Sequence, residues 1–256
     1  MDITLTAVPA FTDNYIWLLA AGDVAVVVDP GDAAPVRAAL AERRLRLTAV
    51  LITHYHPDHM GGAHALAEEH ACPVYGPAHE DIEAVDRPLL DGAELELPEL
   101  KARFKVLDIP GHTAGHIAYQ GHGIIFCGDT LFSVGCGRLF EGTAEQMCAS
   151  LARLAALPDD SLVCCGHEYT LANLRFAREV EPGNQDVTDY MKECAARRAR
   201  GEPTLPSRLG LERRVNPFLR CGEPAVRDAA RRRLGREPTD AVDVFAALRA
   251  WKDGFS

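Results

Sequence analysis

Thr53-His54-Tyr55-His56-Pro57-Asp58-His59 follows directly on the apolar run Ala49–Ile52. That run is short, rich in aliphatic residues and closed by polar ones, and it reads as a buried strand. Three histidines and an aspartate then crowd the strand end and the turn after it. Residues two apart on an extended chain point to the same side, so His54 and His56 can converge on one ion. Asp58 and His59 lie where the chain turns and can reach a second. Neutral imidazole and carboxylate suit Zn or Fe in the divalent state. A solvated polar loop is the bland alternative. It accounts poorly for four ligand-capable side chains between His54 and His59.

One such cluster cannot fill two coordination spheres. Three further candidates each stand at the end of an apolar run and beside glycine: His112 in Pro110-Gly111-His112-Thr113, Asp129 in Phe126-Cys127-Gly128-Asp129-Thr130, and His167 in Cys164-Cys165-Gly166-His167-Glu168. Each alone is unremarkable. The repeated order of strand, glycine and ligand-capable side chain raises all three together, because glycine lets the backbone turn sharply and approach a site closely. Other histidines read differently. His64 and His70 fall on a predicted helix, His79 on a polar stretch and His122 beside a hairpin turn, all as non-catalytic residues. His116 reads as structural, and Cys127 and Cys136 as packing residues near the site.

Strand-like runs surround these positions at Ile3–Val8, Tyr15–Ala20, Val24–Asp29, Ala49–Thr53, Phe104–Ile109, His116–Gln120, Gly123–Cys127 and Leu162–Cys165. Helical patterns fall at Ala33–Arg44, Gly62–Glu69 and Ala144–Leu157, and Thr143 with Gln146 forms a capping-box signature before the last. Strands dominate and helices are interspersed, which predicts an α/β sandwich and not a regular βαβ repeat. After Tyr169 the texture changes. Leu171–Glu179, Asp186–Arg200, Ala225–Leu234 and Ala241–Trp251 read as helices, and no strand is expected there. The expected division is residues 1–170 as the site-bearing domain and 171–256 as a smaller helical one.

Composition bounds the rest. The chain has 256 residues, 47% of them apolar, enough for a sizeable core. Its net charge of -10 is uneven: residues 1–168 carry 10 Lys+Arg against 24 Asp+Glu, and residues 169–256 carry 17 against 13. An acidic body lacks the broad basic surface that nucleic acid requires, while a basic helical segment can still take a small anion. Eight scattered cysteines with no Cys-x-x-Cys are no disulfide framework and suggest reduced thiols in a cytoplasmic protein. The apolar stretch Tyr15–Ala21 is too short to span a membrane. No signal peptide is evident, and a monomer is expected.

Longer strings narrow the reading. His-x-His-x-Asp-His followed by a spaced His, Asp and His resembles the metallo-β-lactamase superfamily. Gly128-Asp129-Thr130-Leu131-Phe132, Gly135-Cys136-Gly137-Arg138, Phe140-Glu141-Gly142-Thr143, Gly166-His167-Glu168-Tyr169-Thr170, Asn216-Pro217-Phe218 and Lys252-Asp253-x-Phe255 resemble its hydroxyacylglutathione hydrolases, the glyoxalase II family. The resemblance covers nearly the whole chain, helical tail included. It implies an αββα sandwich with two divalent metal ions at one edge, Zn first and Fe or Mn as alternatives. His54, His56 and His112 would hold one ion, Asp58, His59 and His167 the other, and Asp129 would bridge them. The reading of the residues reaches the same seven positions without dividing them between ions.

The resemblance also implies the reaction: hydrolysis of S-(2-hydroxyacyl)glutathione, with S-D-lactoylglutathione expected, to glutathione and a 2-hydroxy acid such as D-lactate. Paired ions supply hydroxide near neutral pH. Asp58 and Asp129 are the expected catalytic carboxylates. Arg138, Tyr169, Arg249 and Lys252 match the family's glutathione-binding positions. Phe140 stands where some members carry Tyr, and its ring is expected to pack on the tripeptide far from the oxyanion. Three rivals remain: a mononuclear-iron glutathione persulfide dioxygenase, a two-metal nucleic-acid phosphodiesterase, and a non-enzymatic metal-binding scaffold.

Overall fold

The computed structural model describes residues 3–255. Two six-stranded sheets face each other. The first runs β1 (Thr4–Ala10), β2 (Asn14–Ala21), β3 (Val24–Val28), β4 (Arg46–Leu51), β5 (Val74–Pro77) and β6 (Arg87–Leu89), in that order. The second contains β7 (Glu94–Leu97), β8 (Ala102–Asp108), β9 (Ile117–Gly121), β10 (Ile124–Gly128), β13 (Leu162–Cys165) and β14 (Ser207–Arg208), ordered β14-β13-β10-β9-β8-β7. Between β10 and β13 in sequence lies a small ribbon, β11 (Leu131–Phe132) with β12 (Gly135–Cys136).

Side-chain alternation explains the layering. Along β2, Tyr15, Trp17 and Leu19 point into the core between the sheets, while Ile16, Leu18 and Ala20 point into a second core. A strand buried on both faces reads as a continuous apolar run, as β2 and β3 do. The second core is closed by Val36 and Leu40 of α1 (Ala33–Arg43) and by Ala63 and Leu66 of α3 (Ala63–His70). A four-residue helix, α2 (Pro57–Met60), precedes α3. On the far side of the second sheet lies α4 (Ala144–Ala155), started by the expected capping box of Thr143 and Gln146. The chain then supplies α5 (Thr170–Val180), α6 (Gln185–Ala199), α7 (Leu209–Val215), α8 (Pro224–Leu234) and α9 (Ala241–Asp253). Phe176, Phe218 and Phe245 from this region belong to the same apolar cluster as Trp17 and Phe126 of the sandwich.

Two expectations need correction. The stretch after Tyr169 is not strand-free, because Ser207 and Arg208 pair antiparallel with β13. Two residues are too few for any period to show. The strand expected at Ala49–Thr53 instead spans Arg46–Leu51. Thr53 leaves the ladder because the Asp29 carboxylate captures both its N–H and its hydroxyl, each at 2.7 Å. β3, β4 and β5 run parallel, and β10 runs parallel to β13. Their carboxyl ends meet at one edge of the sandwich, where loops of an α/β sheet hold ligands.

Candidate active site

His54 and His56 leave the end of β4, His59 sits in α2, His112 follows β8, Asp129 follows β10 and His167 follows β13. The fold brings all seven expected ligand residues together. Six of them form two groups, His54 with His56 and His112, and Asp58 with His59 and His167, and Asp29 makes a third with His54 and His59; within each group the donor atoms lie within 4.8 Å of one another.

Outer hydrogen bonds fix which nitrogen faces inward. The Thr53 hydroxyl donates to Asp29, so it accepts from His54 Nδ1–H at 3.0 Å. His112 Nδ1–H donates to the Arg138 carbonyl at 2.9 Å. Both residues therefore aim an Nε2 lone pair at His56 Nδ1, each from 3.1 Å. Donor atoms bound at about 2.0–2.1 Å to a tetrahedral ion stand roughly 3.3 Å apart, so the spacing suits a cation between them. In the other group, His59 Nδ1–H donates to Asp29 at 3.0 Å and His167 Nδ1–H to Asp13 at 2.8 Å. Their Nε2 atoms approach Asp129 at 3.3 and 3.2 Å and Asp58 at 3.8 and 3.4 Å. Asp129 also lies 3.6 Å from His112 Nε2, so it touches both groups. His59 Nε2 and Asp129 Oδ1 are buried without a hydrogen-bond partner, a costly state that a metal ion relieves.

Electrostatics separate the halves. Burial pushes His54 well below the ordinary histidine range, and it lowers His56 and His112 too, so these imidazoles are neutral and ready to ligate. Burial opposes charge on His59 and His167 as well, but Asp129 outweighs it. His59 goes well up, and His167, helped by Asp58, rises to about 10. The carboxylates of this half demand positive charge, which a divalent ion supplies. Burial would also raise Asp129, but His59 and His167 hold it well down.

Asp29 and His116 are near enough to be mistaken for ligands. Asp29 already accepts from Thr53 N, Thr53 Oγ1 and His59 Nδ1. His116 donates through Nδ1 to the Ile117 carbonyl at 3.0 Å and accepts from the Asp129 N–H through Nε2 at 3.2 Å. Its ring stacks on His54 at 4.4 Å. Both nitrogens are engaged, so it backs the cluster. Two glycines make room. At Gly128, with φ +47°, a Cβ would stand 2.3 Å from the Thr53 hydroxyl and 2.8 Å from the His116 ring. At Gly166 it would stand 2.5 Å from His59 and 2.6 Å from Asp129.

The cluster floors a cleft of about 580 Å³ whose wall carries Arg138, Arg249 and Lys252. Arg249 is 6% exposed. Its guanidinium donates to the Cys136 carbonyl at 2.8 Å and to Asp253 at 2.9 Å. Lys252 Nζ lies over the Phe176 and Phe255 rings at 5.5 and 5.6 Å. Burial, with Arg249, Arg175 and Arg138 nearby, brings its pKa down to about 8. Arg138 is exposed, with Nε 3.7 Å from Asp253. The Tyr169 ring stacks on His167 at 4.7 Å. Phe140 departs from expectation: its ring lies 5.5 Å from the His56 ring and 5.2 Å from that of His112, at the edge of the cluster itself. The short turn from Arg138 back over His112 puts it there, with Phe140 N–H donating to the His112 carbonyl.

Asp13, Asn14 and Asp29 were missed by the sequence reading. Val28-Asp29-Pro30-Gly31 repeats the strand-then-ligand order that exposed the others, but nothing marked Asp13 and Asn14 beyond their place where β2 begins. A larger cleft of about 790 Å³ lies at the α5–α6 turn. Its Arg220 is paired with Glu181 and its Arg214 with Asp186, and none of the seven cluster residues lines it. No helix among the described residues is long and apolar enough to cross a membrane.

Known proteins resemble this chain along nearly its whole length. Residues 10–167 match the metallo-beta-lactamase superfamily model, and residues 168–255 match the model for the hydroxyacylglutathione hydrolase C-terminus. A hydroxyacylglutathione hydrolase of Alkalilimnicola ehrlichii is 57% identical, over 97% of this chain and 98% of its own. Another, from Nitrosomonas eutropha, is 52% identical over 99% of both chains. Among solved structures, ETHE1 from Myxococcus xanthus superposes with a TM-score of 0.66 at 26% identity, over 98% of each chain. The chain belongs to the hydroxyacylglutathione hydrolase family, within the metallo-beta-lactamase superfamily.

Proposed function

We propose that the protein hydrolyses S-(2-hydroxyacyl)glutathione, S-D-lactoylglutathione in particular, to glutathione and a 2-hydroxy acid such as D-lactate. One observation carries the reading: a metal-ready cluster and three cations share a single cleft. His54, His56 and His112 would hold one ion, Asp58, His59 and His167 a second, with Asp129 shared between them. Zn suits the imidazole-rich set, and Fe or Mn fits it as well. When bound, such ions acidify water and polarise a carbonyl oxygen.

The chain's own residues supply the rest. His167 holds the Asp58 carboxyl well below its usual range, and Asn14 donates to Asp58 Oδ2 at 3.0 Å. Asp58 is therefore ionised and fixed, an acceptor that orients the attacking water. Water oxygen adds to the thioester carbon as its proton is released to solvent, the C–S bond breaks, and the sulfur leaves as thiolate. The parent thiol has a pKa of about 8.5 by analogy with cysteine, so no strong general acid is needed. Arg138 and Lys252 face the glutathione carboxylates. Arg249 is read as a binding residue too, and its buried bond to Cys136 also steadies the loop between Asp129 and Arg138. Phe140 and Tyr169 shield the two halves of the cluster from water. Residues 171–256 act as the glutathione-binding part, and the protein works as a monomer in the cytoplasm, where its eight free thiols stay reduced.

Thiol release from S-D-lactoylglutathione, measured with and without oxygen alongside metal analysis, tests this. Equal turnover in both conditions is expected. Oxygen-dependent consumption, or no turnover at full metal occupancy, would sink it.

A further inference from the structure

The seven ligand candidates lean on unequal supports. In the first group the outer acceptors are neutral: the Thr53 hydroxyl behind His54 and the Arg138 carbonyl behind His112. In the second they are carboxylates: Asp29 behind His59 and Asp13 behind His167. A carboxylate behind a ligating imidazole fixes its tautomer and makes it a stronger donor.

Asp13 is held in place by its backbone. Its carbonyl accepts from Glu168 N–H at 2.8 Å, and Tyr15 N–H donates to the Gly166 carbonyl at 2.8 Å. Asn14 and His167 form an isolated antiparallel bridge. The turn before β2 is thus stapled to the segment that carries His167, on both sides of that residue. From the first position of β2, Asn14 donates to Asp58. Two of the three residues of the second group are therefore oriented by the Asp13–Asn14 segment; His112 has a backbone strap of its own, with Phe140 and Gly142 N–H donating to the His112 and Gly111 carbonyls at 3.3 and 3.1 Å, but among the described residues no carboxylate accepts from the outer nitrogen of His54 or His112.

We infer that Asp13 is a positioning residue for the second ion position alone, holding His167 Nε2 towards Asp58 and Asp129 and strengthening that position relative to the first. This rests on the two-ion reading above. Its partner Asp29 serves less well as a probe, because it also anchors Thr53 and its loss would disturb both halves.

The test is graded competition of the Zn-loaded enzyme with a chromophoric chelator, on wild type, Asp13→Asn and Asp13→Ala. Asn keeps an acceptor without the charge, and Ala removes both. The expected result is that one release step weakens about 10- to 100-fold, as outer-partner loss typically does, while the other moves little. In a His56→Ala background, which disables the first group, the remaining step should still weaken when Asp13 is replaced. The idea fails if neither step moves, if both move alike as for general loosening, or if the His56→Ala background abolishes the effect. A wild type that releases only one ion would refute the two-ion reading instead. Asp13 would then be judged on whether that one step weakens.

Discussion

Among the seven candidate ligands, Asp129 is the carboxylate that touches both halves of the cluster. Asp129→Ala should therefore lose most thioesterase activity and lower metal content at both positions, as elemental analysis of the purified variant would show. Loss from one position alone would contradict its shared role. Lys252 gives a pH test. Its charge is lost as pH rises through about 8, so KM should climb above that pH while kcat changes less. Lys252→Arg should flatten the climb, because guanidinium stays protonated. Lys252→Ala should raise KM about ten-fold or more at neutral pH, given roughly 1.5–3 kcal/mol for a charged hydrogen bond. Phe140→Tyr should lower KM only a few-fold, since a neutral hydrogen bond contributes about 0.5–1.5 kcal/mol. A fall in kcat would show that its place beside His56 and His112 dominates. The candidate ligand residues were legible because chemistry forces rare side chains into tight spacing. Asp13 and Asn14 were not, since an acceptor in the outer layer needs only a carboxylate or amide somewhere near, and any turn provides those.

Strands and helices showed themselves in proportion to their length and burial. β2, β3 and β10 announce themselves because both faces are buried and the apolar run is unbroken. β5 and its neighbour, the edge strand β6, contain glycine or proline in three or four residues and carry no usable period. β7 does alternate, as Glu-Leu-Glu-Leu, and a period-two reading would have found it. The tail's helices were legible, but its attachment was not. β14 extends the second sheet, and Phe176, Phe218 and Phe245 fill a core shared with Trp17 and Phe126. Deleting residues 171–256 should therefore cost more than glutathione binding. The truncated chain should expose apolar surface and unfold or aggregate, which dye binding and light scattering would detect. A soluble truncation with an intact metal centre would show that the two parts fold separately.

Across the whole molecule, the seven candidate ligands come from segments spread between residues 54 and 167, and from both sheets. Ions bound there would tie the sheets together at one edge. Ligand binding at a free concentration 100 times Kd stabilises by about 2.7 kcal/mol. At about 2–4 °C per kcal/mol for a chain of this size, chelation should lower Tm by roughly 5–10 °C. Calorimetry with and without chelator checks this, and an unchanged Tm would place the ions elsewhere. The acidic body and basic tail could be counted from sequence, but their convergence could not. Arg138 and Lys252 are more than 110 residues apart in sequence and line one cleft.

That convergence separates what the molecule does from whom it does it to. The candidate metal ligands stand at sheet ends and in α2, and the cations of Arg249 and Lys252 hang from the last helix. A descendant that kept the first 168 residues and exchanged the tail could inherit the same hydrolytic engine and acquire a new clientele. One condition would bind it: whatever replaced the tail would have to refill the space now taken by Phe176, Phe218 and Phe245. New substrates are reachable here by recombination at one seam, but only through partners that bring an aromatic plug of matching shape.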